Sequence, residues 1–120
     1  MPKRILIIDD NEDFCSMMET LLTRAGYEVA FSPYPIVSVE QAFSEDYDLI
    51  TLDLMMPDCN GADVAELFRD NGLDKPVIVI SGYLSPDVRA QLEEVGIQHF
   101  FEKPFNPPQL LEAIRKALGD

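Results

Sequence analysis

The sequence predicts an α/β fold in which five parallel strands form one sheet with helices on both faces. Two observations predict it. Five short apolar runs recur along the 120 residues, and a segment with helical spacing follows each of them. The runs are rich in Ile and Val and lack regular polar alternation, which is typical of strands covered on both faces. Helical connections between such strands are right-handed and give a doubly wound sheet.

The elements follow one another in the order βαβαβαβαβα. The predicted strands cover residues 4–8, 27–31, 48–52, 76–80 and 99–101. The first helix has an apolar stripe that ends before Gly26: Phe14, Met17, Met18, Leu21, Leu22 and Ala25. The third, fourth and fifth helices have the stripes Val64, Leu67 and Phe68; Val88, Leu92 and Val95; and Leu110, Leu111, Ile114, Ala117 and Leu118. The second helix has the weakest pattern: Ile36, Val39 and Phe43.

Length and composition predict a single domain over residues 1–120. The length is usual for one domain, and 47% hydrophobic residues supply a core. There is no apolar run of about 18 residues and no signal-peptide pattern, so we expect a cytoplasmic protein without membrane association. The net charge of −13 disfavours direct binding to nucleic acid, whose phosphates are bound by clustered Lys and Arg.

Polar residues follow four of the five predicted strands. Asp9 and Asp10 follow the first strand, Asp53 the third, Ser81 the fourth, and Lys103 lies just after the fifth. Because the carboxyl ends of parallel strands open at one edge, we expect these side chains to lie close together. Clustered carboxylates repel one another unless a cation lies among them, and carboxylate oxygens suit Mg²⁺. A hydroxyl and an ammonium beside them predict a phosphoryl-transfer site.

Each of these residues also has an ordinary structural explanation. Asp10 or Asn11 could cap the first helix, and Asp53 could begin a turn. Ser81 could be a loop hydroxyl, and Lys103 a solvated charge. Their joint occurrence at four strand ends favours the phosphoryl-transfer site.

The sequence resembles the receiver domain of bacterial two-component response regulators, and in particular the single-domain chemotaxis regulators. The resemblance covers essentially the whole chain and rests on the motifs IDDN at 8–11, DLMMPDCNG at 53–61, ISG at 80–82 and FFEKPF at 100–105. It implies a flavodoxin-like, doubly wound five-stranded parallel sheet in the order 2-1-3-4-5 with five helices.

The resemblance implies that Asp53 takes a phosphoryl group from a phosphohistidine of a sensor histidine kinase or of a phosphotransfer protein. Asp10 and Asp53 would bind Mg²⁺, or Mn²⁺ in its place, together with the backbone carbonyl of Met55. Asp9 would act mostly through water. The domain would be a signalling switch rather than an enzyme.

The resemblance also assigns roles at the fourth and fifth strands. Ser81 and Lys103 would hold the phosphoryl oxygens. In the family, the hydroxyl at the position of Ser81 moves towards the phosphoryl group, and the aromatic residue three positions before the lysine turns inward. That residue is Phe100, whose ordinary explanation is packing within the sheet. Because Phe100 lacks the hydroxyl of the more familiar tyrosine, its coupling would act by packing alone. The isomer of the Lys103–Pro104 bond stays open.

Two further positions bear on the lifetime of the phosphorylated state. Family precedent places the residues two after the acceptor and two after the hydroxyl, Met55 and Tyr83, next to the attacking water. Neither is an acid or amide that would orient water, and both are bulky. We expect slow self-dephosphorylation.

Partner binding is expected on the face formed by the fourth helix, the fifth strand and the fifth helix, by the same resemblance. The charged residues predicted on that face are Arg89, Glu93, Glu94, Arg115 and Lys116, for which a solvated surface is the ordinary explanation. The chain ends directly after the last helix, which suits either a stand-alone receiver or a segment of a longer regulator.

Three other functions are less consistent with the sequence. A phosphorylation-independent interaction module would usually lack the acceptor, an acid of the pair or the lysine. A phosphatase of the haloacid dehalogenase type would have an acid where this chain has Met55. A dinucleotide-binding domain would have a glycine-rich loop after the first strand, where this chain has DDNEDF.

Overall fold

A computed structural model describes residues 2–32, 40–43, 47–56 and 59–119 of the chain. The strands are β1 (Arg4–Ile8), β2 (Glu28–Ser32), β3 (Leu49–Leu52), β4 (Met55–Met56), β5 (Cys59–Asn60), β6 (Val77–Ser81) and β7 (His99–Glu102). The helices are α1 (Glu12–Arg24), α2 (described over residues 40–43), α3 (Gly61–Asp70), α4 (Pro86–Glu94) and α5 (Pro107–Ala117). Among the described residues, none of these helices has the length and apolar character that crossing a bilayer requires.

Five of the strands form one parallel sheet in the order β2-β1-β3-β6-β7. Counted along the chain, this is the order 2-1-3-4-5, and it confirms the predicted fold. In the register of the sheet, Ile8 pairs with Leu52 and also with Ser32 on the other side. The strands therefore end at nearly the same level, and the residues that follow β1 and β3 meet at one edge.

Helices cover both faces of the sheet. Because successive side chains of a strand point to opposite faces, one strand contributes residues to two cores. In β1, Leu6 and Ile8 belong to the core on one face, whereas Ile5 and Ile7 belong to the core on the other. The first core includes residues of α3 and α4: Val64, Ala65, Phe68 and Leu92. The second includes residues of α1 and α5: Met18, Leu22, Leu110 and Ile114. This two-sided burial explains the continuous apolar runs of the sequence.

Polar caps fix where the helices begin at the functional edge of the sheet. The side chain of Asn11 accepts a hydrogen bond of 2.8 Å from the N–H of Phe14 at the start of α1. Asn106 caps α5 in the same way through the N–H of Gln109. Of the two predicted capping residues, Asn11 is therefore the one that caps α1, which leaves the carboxylate of Asp10 available to other groups.

The predicted helical stripes are partly wrong. The spacing places Met17 and Leu67 in buried stripes, but they are 42% and 46% exposed. Each is followed directly by a buried residue, Met18 or Phe68, and successive residues on a helix are about 100° apart. The first of each pair therefore falls at the border of the stripe. In the weakly predicted second helix, Phe43 is 41% exposed, whereas positions 36 and 39 lie outside the described residues.

The antiparallel pair of β4 and β5 was not predicted. Met55 pairs with Asn60, and Met56 with Cys59, in a segment that the sequence presents as a turn. Two-residue strands are too short to show a period of two, so no sequence pattern indicates them. The pair lies in the connection between β3 and α3, shortly after the end of β3.

The burial difference between two leucines gives a test of the packing. Leu92 in α4 is 1% exposed, and Leu67 in α3 is 46% exposed. We expect Leu92→Ala to lower the free energy of unfolding by about 2–5 kcal/mol, because it leaves a cavity in the core. Leu67→Ala should change it by about 0.5 kcal/mol or less. Urea unfolding of both variants measures the difference, and equal losses would contradict the burial of Leu92 in the core.

Candidate functional site

Three carboxylates meet at the edge of the sheet where β1 and β3 end. The N–H of Asp53 donates to the carbonyl of Ile8 at 3.0 Å, and the N–H of Asp9 donates to the carbonyl of Ser32 at 3.3 Å. These bonds extend the ladder one residue beyond the strands and hold the two acids side by side. One carboxylate oxygen from each of Asp9, Asp10 and Asp53 lies within 4.8 Å of the others. Such a cluster of hard oxygen ligands fits a small divalent cation.

Asp9 is the most deeply buried of the three acids, at 1% exposure. Its Oδ2 accepts a hydrogen bond of 2.8 Å from the ammonium of Lys103, and its Oδ1 accepts one of 2.9 Å from the N–H of Asn11. Burial raises the pKa of Asp9, and the bonds to Lys103 and Asn11 oppose that rise only in part. The role of Asp9 towards a metal through water, which the family resemblance implies, stays a prediction, and the structure shows in addition that Asp9 contacts the lysine directly.

Lys103 is held at the site by the last strand of the sheet. Its N–H donates to the carbonyl of Ser81 at 2.8 Å, which extends the pairing of β6 with β7 by one residue. Its ammonium lies 2.8 Å from Asp9 Oδ2 and 3.7 Å from Asp53 Oδ2. The Lys103–Pro104 peptide bond is cis. The structure thus places the ammonium of Lys103 next to two of the predicted acids, Asp9 and Asp53.

The hydroxyl of Ser81 is fully buried at the end of β6. Within the described part of the chain, its Oγ is the buried side-chain polar atom that has no hydrogen-bond partner. A buried hydroxyl without a partner costs free energy, and such a group usually meets water or a ligand. Ser81 ends β6 at the same edge of the sheet as the acids and the lysine, and a hydroxyl there fits a donor to an oxygen of a bound group.

Phe100 lies in β7, half-buried against the core formed with α3 and α4. The guanidinium of Arg89 in α4 lies 4.8 Å from the centroid of its ring, at a distance typical of a cation–π contact. Arg89 also forms an ion pair of 3.4 Å with Glu93. The ring is therefore covered by a charged side chain of α4.

Met55 and Tyr83, the two residues predicted to affect the lifetime of the phosphorylated state, differ in how far the structure describes them. Met55 begins β4, two residues after Asp53, and its side chain lies outside the part of the chain that is described. Tyr83 follows Ser81 by two residues and is 64% exposed, so its ring lies largely in solvent. Of the predicted site residues, Asp9, Asp10, Asp53, Ser81 and Lys103 are the ones brought to the same edge.

Phe14 is a residue of the site that sequence reasoning missed. As the apolar stripe of α1 predicts, it packs against the core formed with α1 and α5, and its ring centroid also lies 3.9 Å from the Nζ of Lys103. The only indication in the sequence is its place in the first turn of α1, three residues after Asn11, because that turn begins at the functional edge.

Cys15 also contacts the site. Its thiol donates a hydrogen bond of 3.5 Å to the backbone carbonyl of Asp9. Burial raises the pKa of this thiol to about 11, which favours the protonated form that donates this hydrogen bond. Cys15 therefore supports the backbone beneath Asp9.

The comparison that decides the family covers nearly the whole chain. Residues 5–115 match the family described as the response regulator receiver domain. The chain is a receiver domain. Receiver domains of two-component response regulators are phosphorylated on an aspartate and bind Mg²⁺ at an acidic pocket. In this receiver domain, Asp9, Asp10 and Asp53 form such an acidic cluster.

Known proteins similar to this receiver domain include both regulators and solved structures. The chemotaxis protein CheY of Thermotoga maritima is 31% identical over 117 residues, which are 97% of this chain and 98% of CheY. The CheY-like receiver domain protein of Methanospirillum hungatei JF-1 superposes with a TM-score of 0.93 at 28% identity, over 99% of this chain and 95% of that one. The response regulator TrrA of T. maritima, in complex with Mg²⁺-BeF, has a TM-score of 0.85 at 30% identity, over 96% and 98% of the two chains.

Some curated relatives are longer proteins. This receiver domain spans 50% of the transcriptional regulatory protein SilR of Salmonella typhimurium and 49% of PhoP of Bacillus subtilis. In those relatives, the match covers about half of the protein.

The raised pKa of Asp9 predicts how stability depends on pH. The folded chain binds the carboxyl proton of Asp9 more tightly than the unfolded chain does. Ionisation of Asp9 therefore lowers the free energy of unfolding as the pH rises from the ordinary pKa of 3.8 through the raised pKa. Asp9→Asn removes the charge and keeps an oxygen that can accept from Lys103. We expect the stability of this variant relative to the wild type to increase between about pH 4 and about pH 7, because only the wild type loses stability as Asp9 ionises.

Urea unfolding in the presence of a chelator measures this difference across the pH range. The exposed Asp74 provides a matched control, and Asp74→Asn should leave stability nearly unchanged at each pH. A wild type that gains stability relative to Asp9→Asn as the pH rises would contradict the expectation.

Proposed function

We propose that this receiver domain accepts a phosphoryl group onto Asp53 from a phosphohistidine of a sensor histidine kinase or a phosphotransfer protein. The observation that carries the proposal is the placement of the Lys103 ammonium, 2.8 Å from Asp9 and 3.7 Å from Asp53, at the edge where Ser81 has an unpartnered buried hydroxyl. A carboxylate nucleophile with two positioned donors suits phosphoryl transfer, in which catalysis is mainly placement and charge neutralisation.

Asp9, Asp10 and Asp53 fit a Mg²⁺ ion, and the backbone carbonyl of Met55 is the proposed further ligand. The support is the set of three carboxylate oxygens within 4.8 Å of one another. The Mg²⁺-BeF complex of TrrA, a similar receiver, is consistent with this assignment. Mn²⁺ takes the same kind of oxygen ligands and is expected to replace Mg²⁺. The ion, when bound, neutralises part of the charge on the acids and on the phosphoryl oxygens.

The roles of the protein groups follow from their chemistry. An oxygen of Asp53 forms a bond to phosphorus while the bond from phosphorus to the histidine nitrogen of the donor breaks. The Oγ of Ser81 donates a hydrogen bond to one phosphoryl oxygen, and the ammonium of Lys103 donates to another. The buried hydroxyl of Ser81 thereby gains the partner that it lacks in the unphosphorylated domain.

The domain is proposed to act as a signalling switch rather than as an enzyme. Movement of Ser81 towards the phosphoryl group would change the packing of Phe100, whose ring is in contact with Arg89 of α4. The face formed by α4, β7 and α5 would then change its affinity for a downstream protein. Its predicted charged residues are all exposed: Arg89, Glu93, Glu94, Arg115 and Lys116.

The net charge of −13 supports a protein partner over direct binding to nucleic acid, and we place the domain in the cytoplasm without membrane association. A phosphorylation-independent module is the alternative from the sequence. No observation favours it, because the acceptor, the acid pair and the lysine are all present at one edge.

Incubation with acetyl phosphate tests the proposed acceptor. We expect the intact protein to gain one phosphoryl mass in the presence of Mg²⁺ and none with a chelator, because the acidic cluster needs the cation. Asp53→Asn should gain none, and Asp74→Asn should behave as the wild type, since Asp74 lies exposed and away from the cluster. Mass spectrometry measures all four. If acetyl phosphate and a panel of phosphorylated histidine kinases all leave the wild type unmodified, the interaction module becomes the better explanation.

The phosphorylated state is expected to have a long lifetime. Met55 and Tyr83 offer no acid or amide to orient the attacking water, so self-dephosphorylation should be slow. We expect the double variant Met55→Asn with Tyr83→Glu to raise the decay rate by at least about tenfold. Loss of phosphoprotein after removal of the donor measures the rate. A double variant that decays at the wild-type rate would exclude these positions as determinants of lifetime.

A further inference from the structure

We propose that Phe14 is a positioning residue for Lys103 and thereby for phosphoryl transfer to Asp53. The inference rests on the function proposed above. It begins from one contact, in which the Nζ of Lys103 lies 3.9 Å from the centroid of the Phe14 ring. The face of an aromatic ring attracts an ammonium electrostatically out to about 6 Å, so this contact is well within range.

The surroundings of Phe14 fix its ring in place. The N–H of Phe14 donates to the side chain of Asn11 at the cap of α1, which fixes the backbone. The ring packs against the core formed with α1 and α5, and it meets the ring of Phe105 edge-on, with centroids 6.1 Å apart and an interplanar angle of 79°. Phe105 follows Lys103 by two residues. The segment that carries Lys103 therefore also packs against the Phe14 ring, through Phe105.

An aromatic ring suits this position better than another acid would. An ammonium has three N–H donors, and Asp9 Oδ2 takes one of them at 2.8 Å. A ring attracts the charge through its face without acting as a conventional acceptor. Phe14 thereby restricts a long flexible side chain while leaving N–H groups for a phosphoryl oxygen. An aliphatic residue of similar size would fill the space without that attraction.

The alternative is that Phe14 is only a packing residue, and shape-preserving substitutions separate the two explanations. Mono-, di- and trifluorinated phenylalanine at position 14 keep nearly the same shape and weaken the negative face of the ring in steps. The same analogues at Phe101 are the matched control. Phe101 is a half-buried ring in the same core, and it lies in β7, two residues before Lys103.

Phosphorylation of Asp53 by acetyl phosphate at saturating Mg²⁺ is the first measurement. We expect its rate constant to fall stepwise with fluorination at position 14, by about three- to tenfold for the trifluorinated ring. The rate constant of Phe14→Leu should fall at least as far, and that of Phe14→Tyr should remain near the wild-type value. Thermal unfolding should be unchanged in the fluorinated series. A rate that does not depend on fluorination at position 14, or that depends equally on fluorination at Phe101, overturns the positioning role.

A second measurement needs no phosphorylation. Ring current from Phe14 should shift the Hε protons of Lys103 upfield in the NMR spectrum, and Phe14→Leu should remove that shift. Absence of the shift in the wild type overturns the contact itself. A wild type that shows the shift but is never phosphorylated on Asp53 overturns the proposed function, and with it the role of Phe14 in the transfer. A wild type that is phosphorylated at a fluorine-independent rate overturns the role of Phe14 alone.

Discussion

Three aspartates at one edge of the sheet repel one another, and the ammonium of Lys103 offsets part of that repulsion from 2.8 Å beside Asp9 and 3.7 Å from Asp53. The remaining cost shows in the raised pKa of Asp9, whose burial outweighs its hydrogen bonds. The receiver domain thus keeps an excess of negative charge where a cation and a phosphoryl group are to bind. The same excess that lowers the stability of the free domain supplies its attraction for a divalent ion.

The sheet tolerates this charge because it is rigid where the charges are attached. Asp9, Asp53 and Lys103 each follow a strand end by one residue. Ladder bonds hold them there, from Asp9 to Ser32, from Asp53 to Ile8 and from Lys103 to Ser81. Both faces of the strands behind these bonds are covered by core residues. The acids can therefore not spread apart without breaking the pairing of buried strands, and the hydrophobic core maintains an arrangement that electrostatics alone would disperse.

Much of this could be predicted from the sequence, for definite physical reasons. Two-sided burial leaves continuous apolar runs, so the strands of the main sheet were located to within one residue at each end, and Asp9, Asp53 and Ser81 were recognised as polar residues that end such runs. The contact of Phe14 with Lys103 leaves no such pattern, because it joins residues far apart in sequence and a phenylalanine on a helix resembles core. The exposure of Met17 was also missed, since helical spacing indicates a face but not its exact width.

The lysine comes from the far end of the chain. Asp9 and Lys103 are separated by 94 positions, and β7, which carries the lysine into place, is the last strand of the sheet. A chain that is still being synthesised, or that has been cut before β7, holds the acids without their counter-charge and without the final ladder bond. Only a molecule whose sheet is finished presents the whole site.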